Sequence, residues 1–447
     1  MKIEIVVSVV ITFALSPMAQ AVSPAPDGGY PGGNTAEGQS ALFGLTTGTF
    51  NTAVGFVSLR NNTEGQFNTA TGAGALLANT ADGNTATGAA ALLSNTSGYQ
   101  NTAVGAFALF SNTEAGWNTA IGASALRNNS TGGGNTAVGD GALASNTTAS
   151  FNSAIGYAAL ANNITGVGNT AIGQSALLNN ISGGGNTATG VNALTGNTVG
   201  TSNTADGTFA LNSNTTGNNN TAIGDSALFN TTNSANTAIG YHALENNTTG
   251  NNNIAVGVEA GSNVGTAHNV ICIGTTGQNT SDSFYVGNVF ETSVDPDNLP
   301  VLIDVTGRLG TQSSSRRFKD NIQPMDKASE VILALKPVTF HYKNDAKRGL
   351  RFGLIAEQVA AVDPELVARD KEGKPYTVRY DQINAMLLNE FLKEHKTVEQ
   401  QGATIAELEK EIASLTASVK EQAATIQNVS MQLHLSKQAQ QVVLNNP

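Results

Sequence analysis

One phrase, Asn-Thr-Ala-x-Gly, recurs with variations through more than half of the chain. Its asparagine falls at 34, 51, 68, 84, 101, 118, 135, 152, 169, 186, 203, 220, 236, 253 and 269; of the 14 spacings, 11 are 17 residues and three are 16. A period this regular restricts the fold to stacked, near-identical units. The consensus NTAxGxxALxxNTTGxx predicts two extended pieces, NTAxG and xxAL, separated by turn-forming asparagine, threonine and glycine. Within NTAIG, side chains alternate, so threonine and the branched residue share one face while alanine and glycine share the other. One unit is too short to fold alone. Stacking buries its apolar stripe and gives a β-solenoid. Ladders of asparagine and threonine would then bond along the axis. One repeat per coil gives a rod of roughly 70 Å, and two repeats per coil give half that.

The expected core is thin: mostly alanine, with one leucine and one branched residue per repeat. Three chains winding together would bury more, so the shaft is expected to be trimeric. The repeats resemble in style the head repeats of trimeric autotransporter adhesins, most closely at NVICIG, Asn269 to Gly274. The other repeats are one residue shorter there.

Charge narrows the function. Charged residues make up 12% of the chain, against roughly 25% for an ordinary globular protein. From Val22 to Gly307 there are two basic residues, Arg60 and Arg127, and 15 acidic ones, a net of −13. Such a surface has little with which to grip phosphates, which excludes nucleic acid as a partner. Calcium-binding solenoids need recurring aspartates, and Asp82, Asp140, Asp206 and Asp225 share no repeat position. An ice-binding surface would need a flat, regular threonine array, for which the one threonine at NTA is thin, and a glycan hydrolase would need a carboxylate pair. A spacer or surface-binding shaft remains, with a cell-surface or glycan ligand left open. Against a glycan platform, Trp117 stands alone, and Phe67, Phe151, Tyr157 and Tyr241 form no single ladder. Cys272 is the one cysteine, read as a packed strand residue, so no intrachain disulfide forms. No spacing of metal ligands occurs, and no cofactor loop.

The ends carry different signals. Ile5 to Leu15 is an apolar run of 11 residues followed by Ala19-Gln20-Ala21, which predicts a signal peptide over 1–21, secretion, and no membrane span after its removal. The shaft is assigned to 22–274. A β-rich neck follows over 275–313, with strands expected in FYVGNVF and VLIDV. The last segment, 393–447, carries heptads. Position a is Val398, Ile405, Ile412, Val419, Ile426 and Leu433; position d is Gln401, Leu408, Leu415, Gln422 and Val429. This predicts a coiled coil, and β-branched a with leucine at d leans towards two strands.

Between neck and heptads, five blocks follow in order: SSRRFKDNI (314–322), LKPVTFHYK (335–343), FGLIAEQV (352–359), DPELV (363–367) and YTVRYDQINAMLLNEF (376–391). Together they resemble the peptidase S74 family, the intramolecular chaperone of endosialidase-type tailspikes and fibres. The resemblance implies a small α+β domain over 314–392, a homotrimer, and self-cleavage by a serine and a lysine five residues apart. Those would be Ser314 and Lys319, cutting between Ser313 and Ser314. Arg317 matches the family's arginine, while Ser315 stands where the family has aspartate. A serine hydroxyl needs a base, and lysine serves if burial or cationic neighbours lower its pKa. Arg316 and Arg317 are such neighbours, or oxyanion stabilisers. By residue type alone, Ser313 also remains open as the nucleophile. The expected protein is a secreted fibre whose end domain trimerises it and then releases itself. The rival is an adhesive protein whose end domain only trimerises.

Overall fold

The computed structural model describes residues 30–289, 292–293, 299–304, 306–343, 345 and 347–444; the leader read at 1–21 lies outside the described residues. The chain divides into two compact units, 1–293 and 294–447.

In the first unit, sixteen three-residue strands stack in sequence order into one parallel sheet, from Thr35–Glu37 (β1) to Phe284–Val286 (β16). Each strand pairs with its equivalent one period on, as in Thr102↔Thr119, so one repeat makes one coil. The last repeat shows where sequence spacing misleads. Ile254 pairs with Ile271, which puts Val270, not Asn269, in the asparagine's place. The sheet also continues past residue 274, because Ile271↔Phe284 adds one more, shorter coil.

Most coils point the same five residues inward. In the coil that starts at Asn118 these are Asn118, Ala120, Ala125, Leu126 and Asn129, all buried. The leucine stabilises each coil that carries it by about 1.5–3 kcal/mol. The xxAL stretch is not extended, contrary to the sequence reading. Ser124 and Leu126 have φ of 58° and 51°, and these left-handed residues turn the chain and aim the leucine into the lumen. Nor does the branched residue join the core: Ile121 is 41% exposed on the outer face. Asparagine fills the space instead, and one chain closes its own interior. Gly122 (φ 135°) could be nothing else, since a Cβ there would strike the carbonyl of Gly139 in the next coil.

Buried amides are tolerable only when fully bonded, and the stacking achieves this in two columns. In the first, Asn118 N donates to Asn101 Oδ1 (3.0 Å), Asn118 Nδ2 donates to Gly132 O (3.0 Å), and Asn135 Nδ2 donates to Asn118 Oδ1 (3.2 Å). In the second, Asn129 Nδ2 donates to Asn112 Oδ1 (3.0 Å) and to Gly132 O (2.9 Å). Cys272 pairs with Ala255 in the alanine column and is buried, which pushes its thiol pKa up.

The second column breaks at Thr231. Among the described residues, the buried side-chain atoms without a partner are Asn214 Oδ1, Thr231 Oγ1 and both amide atoms of Asn247, all at this break. The other 16-residue coil shows that asparagine fits: Asn79, placed before Asn84 as Thr231 is before Asn236, bonds Ala81 O at 2.8 Å. Thr231→Asn is therefore expected to stabilise the shaft by about 1–3 kcal/mol. The check is the denaturation midpoint of the full chain; a lower midpoint would mean that the coil cannot seat the amide.

The second unit opens with an antiparallel hairpin, Leu302–Ile303 (β17) and Leu309–Gly310 (β18). A 3-10 helix, Asp326–Ala334, precedes a second hairpin of Val338–Phe340 (β19) and Arg351–Gly353 (β20). Helix Ala356–Val362 (α1) follows, then a third hairpin of Val367–Arg369 (β21) and Pro375–Val378 (β22). One helix, Tyr380–Leu444 (α2), ends the described chain. Val359, Leu366, Val367, Val378 and Ile383 form the small core. The α+β character expected here is observed. Helix α2 begins inside the last family-like block and runs unbroken through the heptads. Its heptad residues stay in solvent, with Ile412 and Leu415 64% and 70% exposed, so this stripe does not fold back onto its own unit.

Candidate functional site

Ser313, Ser314 and Ser315 lead into one turn of 3-10 helix, Arg316–Phe318. The turn forms because Ser315 caps it: Arg317 N donates to Ser315 Oγ (3.4 Å). Ser315 N in turn donates to Ser313 Oγ (3.2 Å). Phe318 N donates to Ser315 O (3.0 Å) and Lys319 N to Arg316 O (3.2 Å), which closes the turn. Ser314 and Lys319 thus stand at the two ends of one short turn. Both side chains are exposed, and among the described residues neither makes a side-chain hydrogen bond or ion pair. The Arg317 guanidinium sits over the Phe318 ring, 5.2 Å from its centroid. Ser315 therefore has a structural role as the cap of this turn, one that aspartate could also fill.

A second polar cluster went unread in the sequence. Ser329, fully buried on the 3-10 helix, donates its hydroxyl to Glu390 and accepts from Asn389 Nδ2 (2.6 Å), both on α2. Lys393 Nζ lies 2.7 Å from Glu390 Oε1 and 3.6 Å from Glu330 Oε1. These contacts pin the 3-10 helix to the root of α2. The signal was faint: Glu390 and Lys393 are three apart on a helix, a spacing common on solvated faces, and nothing local pointed to Ser329, about 60 residues earlier.

The hydrogen bond from Lys393, then that from Ser329, pulls the Glu390 carboxyl below its usual range; Glu390 raises Lys393. A lowered carboxyl contributes stability above its unfolded pKa, about 4.3, which is lost as pH falls through the folded value. A raised lysine contributes below its unfolded pKa, about 10.4, and the contribution is lost as pH rises through the folded value. The clamp should therefore hold fully between about pH 4.3 and 10.4. Urea unfolding of the full chain from pH 7 to 3 should show a shallower acid loss in Glu390→Gln than in wild type. An identical acid limb would remove the clamp from the account.

The turn that carries Ser314 is also where a family begins. Residues 314–368 match the family model for the chaperone of endosialidase, peptidase S74. Its members are self-cleaving chaperone domains, associated with trimerisation in endosialidase-like fibres. The S74 segment starts at Ser314 itself and ends inside β21. The block from Tyr376 to Phe391, read above with the family, lies beyond it. No curated protein and no solved structure matches the chain. An S74 chaperone segment downstream of a β-solenoid gives the architecture of a fibre-like protein. Among the described residues, no helix is long and apolar enough to cross a membrane, and no group of three or more His, Cys, Asp or Glu side chains could hold a metal.

Proposed function

We propose that the chain is a secreted, homotrimeric fibre whose S74 segment brings three copies into register and then cuts itself free. The observation that carries this reading is the S74 match opening on Ser314, with Lys319 across one turn, directly downstream of a repetitive solenoid. Register is the physical problem such a domain solves. Neighbouring coils are so alike that a slip by one repeat between chains costs few contacts.

Two unpartnered apolar surfaces support the trimer. One is the heptad stripe of α2 from Val398 to Leu433. The other is an open groove of about 580 Å³ lined by Leu335, Val338, Phe352, Leu354, Tyr380 and Leu387. Packing of neighbouring chains against this unit would also desolvate the exposed Lys319 and make it a base. Ser314 Oγ then gives its proton to the neutral Lys319 amine and attacks the Ser313 carbonyl carbon. The peptide C–N bond breaks, its nitrogen takes the proton from Lys319, and an ester joins Ser313 to Ser314. Water hydrolyses the ester, leaving a Ser313 carboxylate and a new chain that begins at Ser314. The reaction is intramolecular and single-turnover, so positioning does most of the work.

The exposure of both dyad side chains in one chain favours a second reading, an adhesive fibre whose end domain trimerises and stays attached. A denaturing gel of purified protein, with N-terminal sequencing of the small fragment, separates the two. The first reading requires a fragment starting at Ser314; one intact chain supports the second. Sedimentation of the full protein as a monomer would overturn both.

A further inference from the structure

Phe50, Phe67, Trp117 and Phe151 occupy one repeat position, the residue before the column asparagine, so the stacking lines them up along one edge of the shaft. Trp117, read from the sequence as standing alone, thus falls in register with Phe67 and Phe151, whereas Tyr157 and Tyr241 sit at another repeat position and form no ladder with them. The four rings are 60–73% exposed. Phe50 and Phe67 stack at 5.3 Å, and Tyr99 meets Trp117 edge to face at 4.7 Å.

Backbone conformation makes the rings notable. The position is left-handed in every coil: φ is 57–61° at the four aromatic residues and 67–70° at Gly33, Gly83, Gly134, Gly168 and Gly185. Glycine takes this conformation freely, and a bulky residue takes it at a cost. The rings stay mostly exposed, so burial offsets little of the cost, and such local strain is characteristic of functional surfaces.

We propose that this edge binds an uncharged linear polysaccharide lying along the shaft, with sugar rings stacked on the aromatic faces. Coils rise by about 4.8 Å, so the rings span roughly 29 Å from Phe50 to Phe151, in groups about 10–14 Å apart. Glycine and Gln100 separate the groups, so the edge is not the continuous apolar patch that another protein would cover. It suits a ligand that repeats a small apolar face between hydroxyls. Polar side chains flank the rings to meet those hydroxyls: Trp117 Nε1 donates to Gln100 Oε1 (2.8 Å), and Gln66 and Asp82 lie on the adjoining column. The net charge of −13 between Val22 and Gly307 repels polyanions and leaves neutral glycans. This deepens the adhesive part of the proposed function and does not depend on the cut.

Trp117 is the only tryptophan in the chain, so its fluorescence reports this edge directly. The full chain would be titrated with neutral glucans, mannan and soluble chitin oligomers, with alginate as the anionic control, and retention measured on the insoluble forms. A blue shift with at least one neutral glycan is expected, and no shift with alginate. Replacing all four rings by glycine, the residue other coils already use there, should lower retention at least tenfold without changing the melting temperature. The same results are expected in Ser314→Ala, whether or not wild type cuts itself. No shift with any neutral glycan, equal retention in the glycine variant, or loss of oligomerisation in that variant would each overturn the proposal.

Discussion

Ser314→Ala is expected to leave one full-length chain where wild type gives two products, with cutting at least about 1,000-fold slower. The change removes the attacking oxygen and nothing that holds the unit together, since the Ser314 side chain is exposed and bonds nothing among the described residues. Lys319→Ala should have the same effect by removing the base, whereas the neighbouring Ser315→Asp should cut at least as fast as wild type. Aspartate caps the Arg316–Phe318 turn as Ser315 does, and it restores the residue the family resemblance leads one to expect. All three variants should form the same oligomer, because the heptads of α2 are untouched. A wild-type chain that cuts equally well with alanine at 314 or 319 would end the dyad hypothesis and point to a contaminating protease.

Asn152→Ala should be the most damaging conservative change in the shaft. Asn152 Nδ2 donates to Asn135 Oδ1 (3.3 Å) and Gly166 O (2.9 Å). Its Oδ1 accepts from Asn169 N (2.9 Å) and Asn169 Nδ2 (3.2 Å). Alanine leaves Asn169 N buried without an acceptor, takes one bond each from Asn135 Oδ1, Gly166 O and Asn169 Nδ2, which keep another, and opens a gap in a dry column. A loss of about 3–5 kcal/mol is expected. Because coils contact only their neighbours, the damage should first open the solenoid around this coil. Asn128→Ala is the control: Asn128 is exposed, so its loss should stay within about 0.5 kcal/mol. Denaturant unfolding of both variants tests the pair. Equal midpoints would mean that the asparagine columns are not what holds the coils together.

The period, the turn residues and the asparagine ladders were legible because each is local or strictly repeated. The NTA strands, the inward alanine and the packed Cys272 all followed from alternation. The left-handed Ala-Leu turn was not legible. Leucine in that conformation is unfavourable on its own, and only the closed coil, with the leucine buried beside two amides, compensates. The aromatic edge was missed for a related reason: four rings scattered over about 100 residues become neighbours only when every coil is superposed.

In the second unit the order of the S74-like blocks was enough to find the segment that the family model matches from residue 314 to 368; the roles of Ser314 and Lys319 rest on the variants above. The clamp of Ser329 on Glu390 and Lys393 was invisible, because about 60 residues and two hairpins intervene. By itself, then, the sequence determined what repeats and what alternates: a solenoid, its period, its neutral-to-acidic surface and the S74 end. The tertiary structure decided one coil per repeat, a core of amides rather than branched side chains, and which exposed residues share an edge. Periodicity states which residues are equivalent, but handedness at each turn decides which way they point.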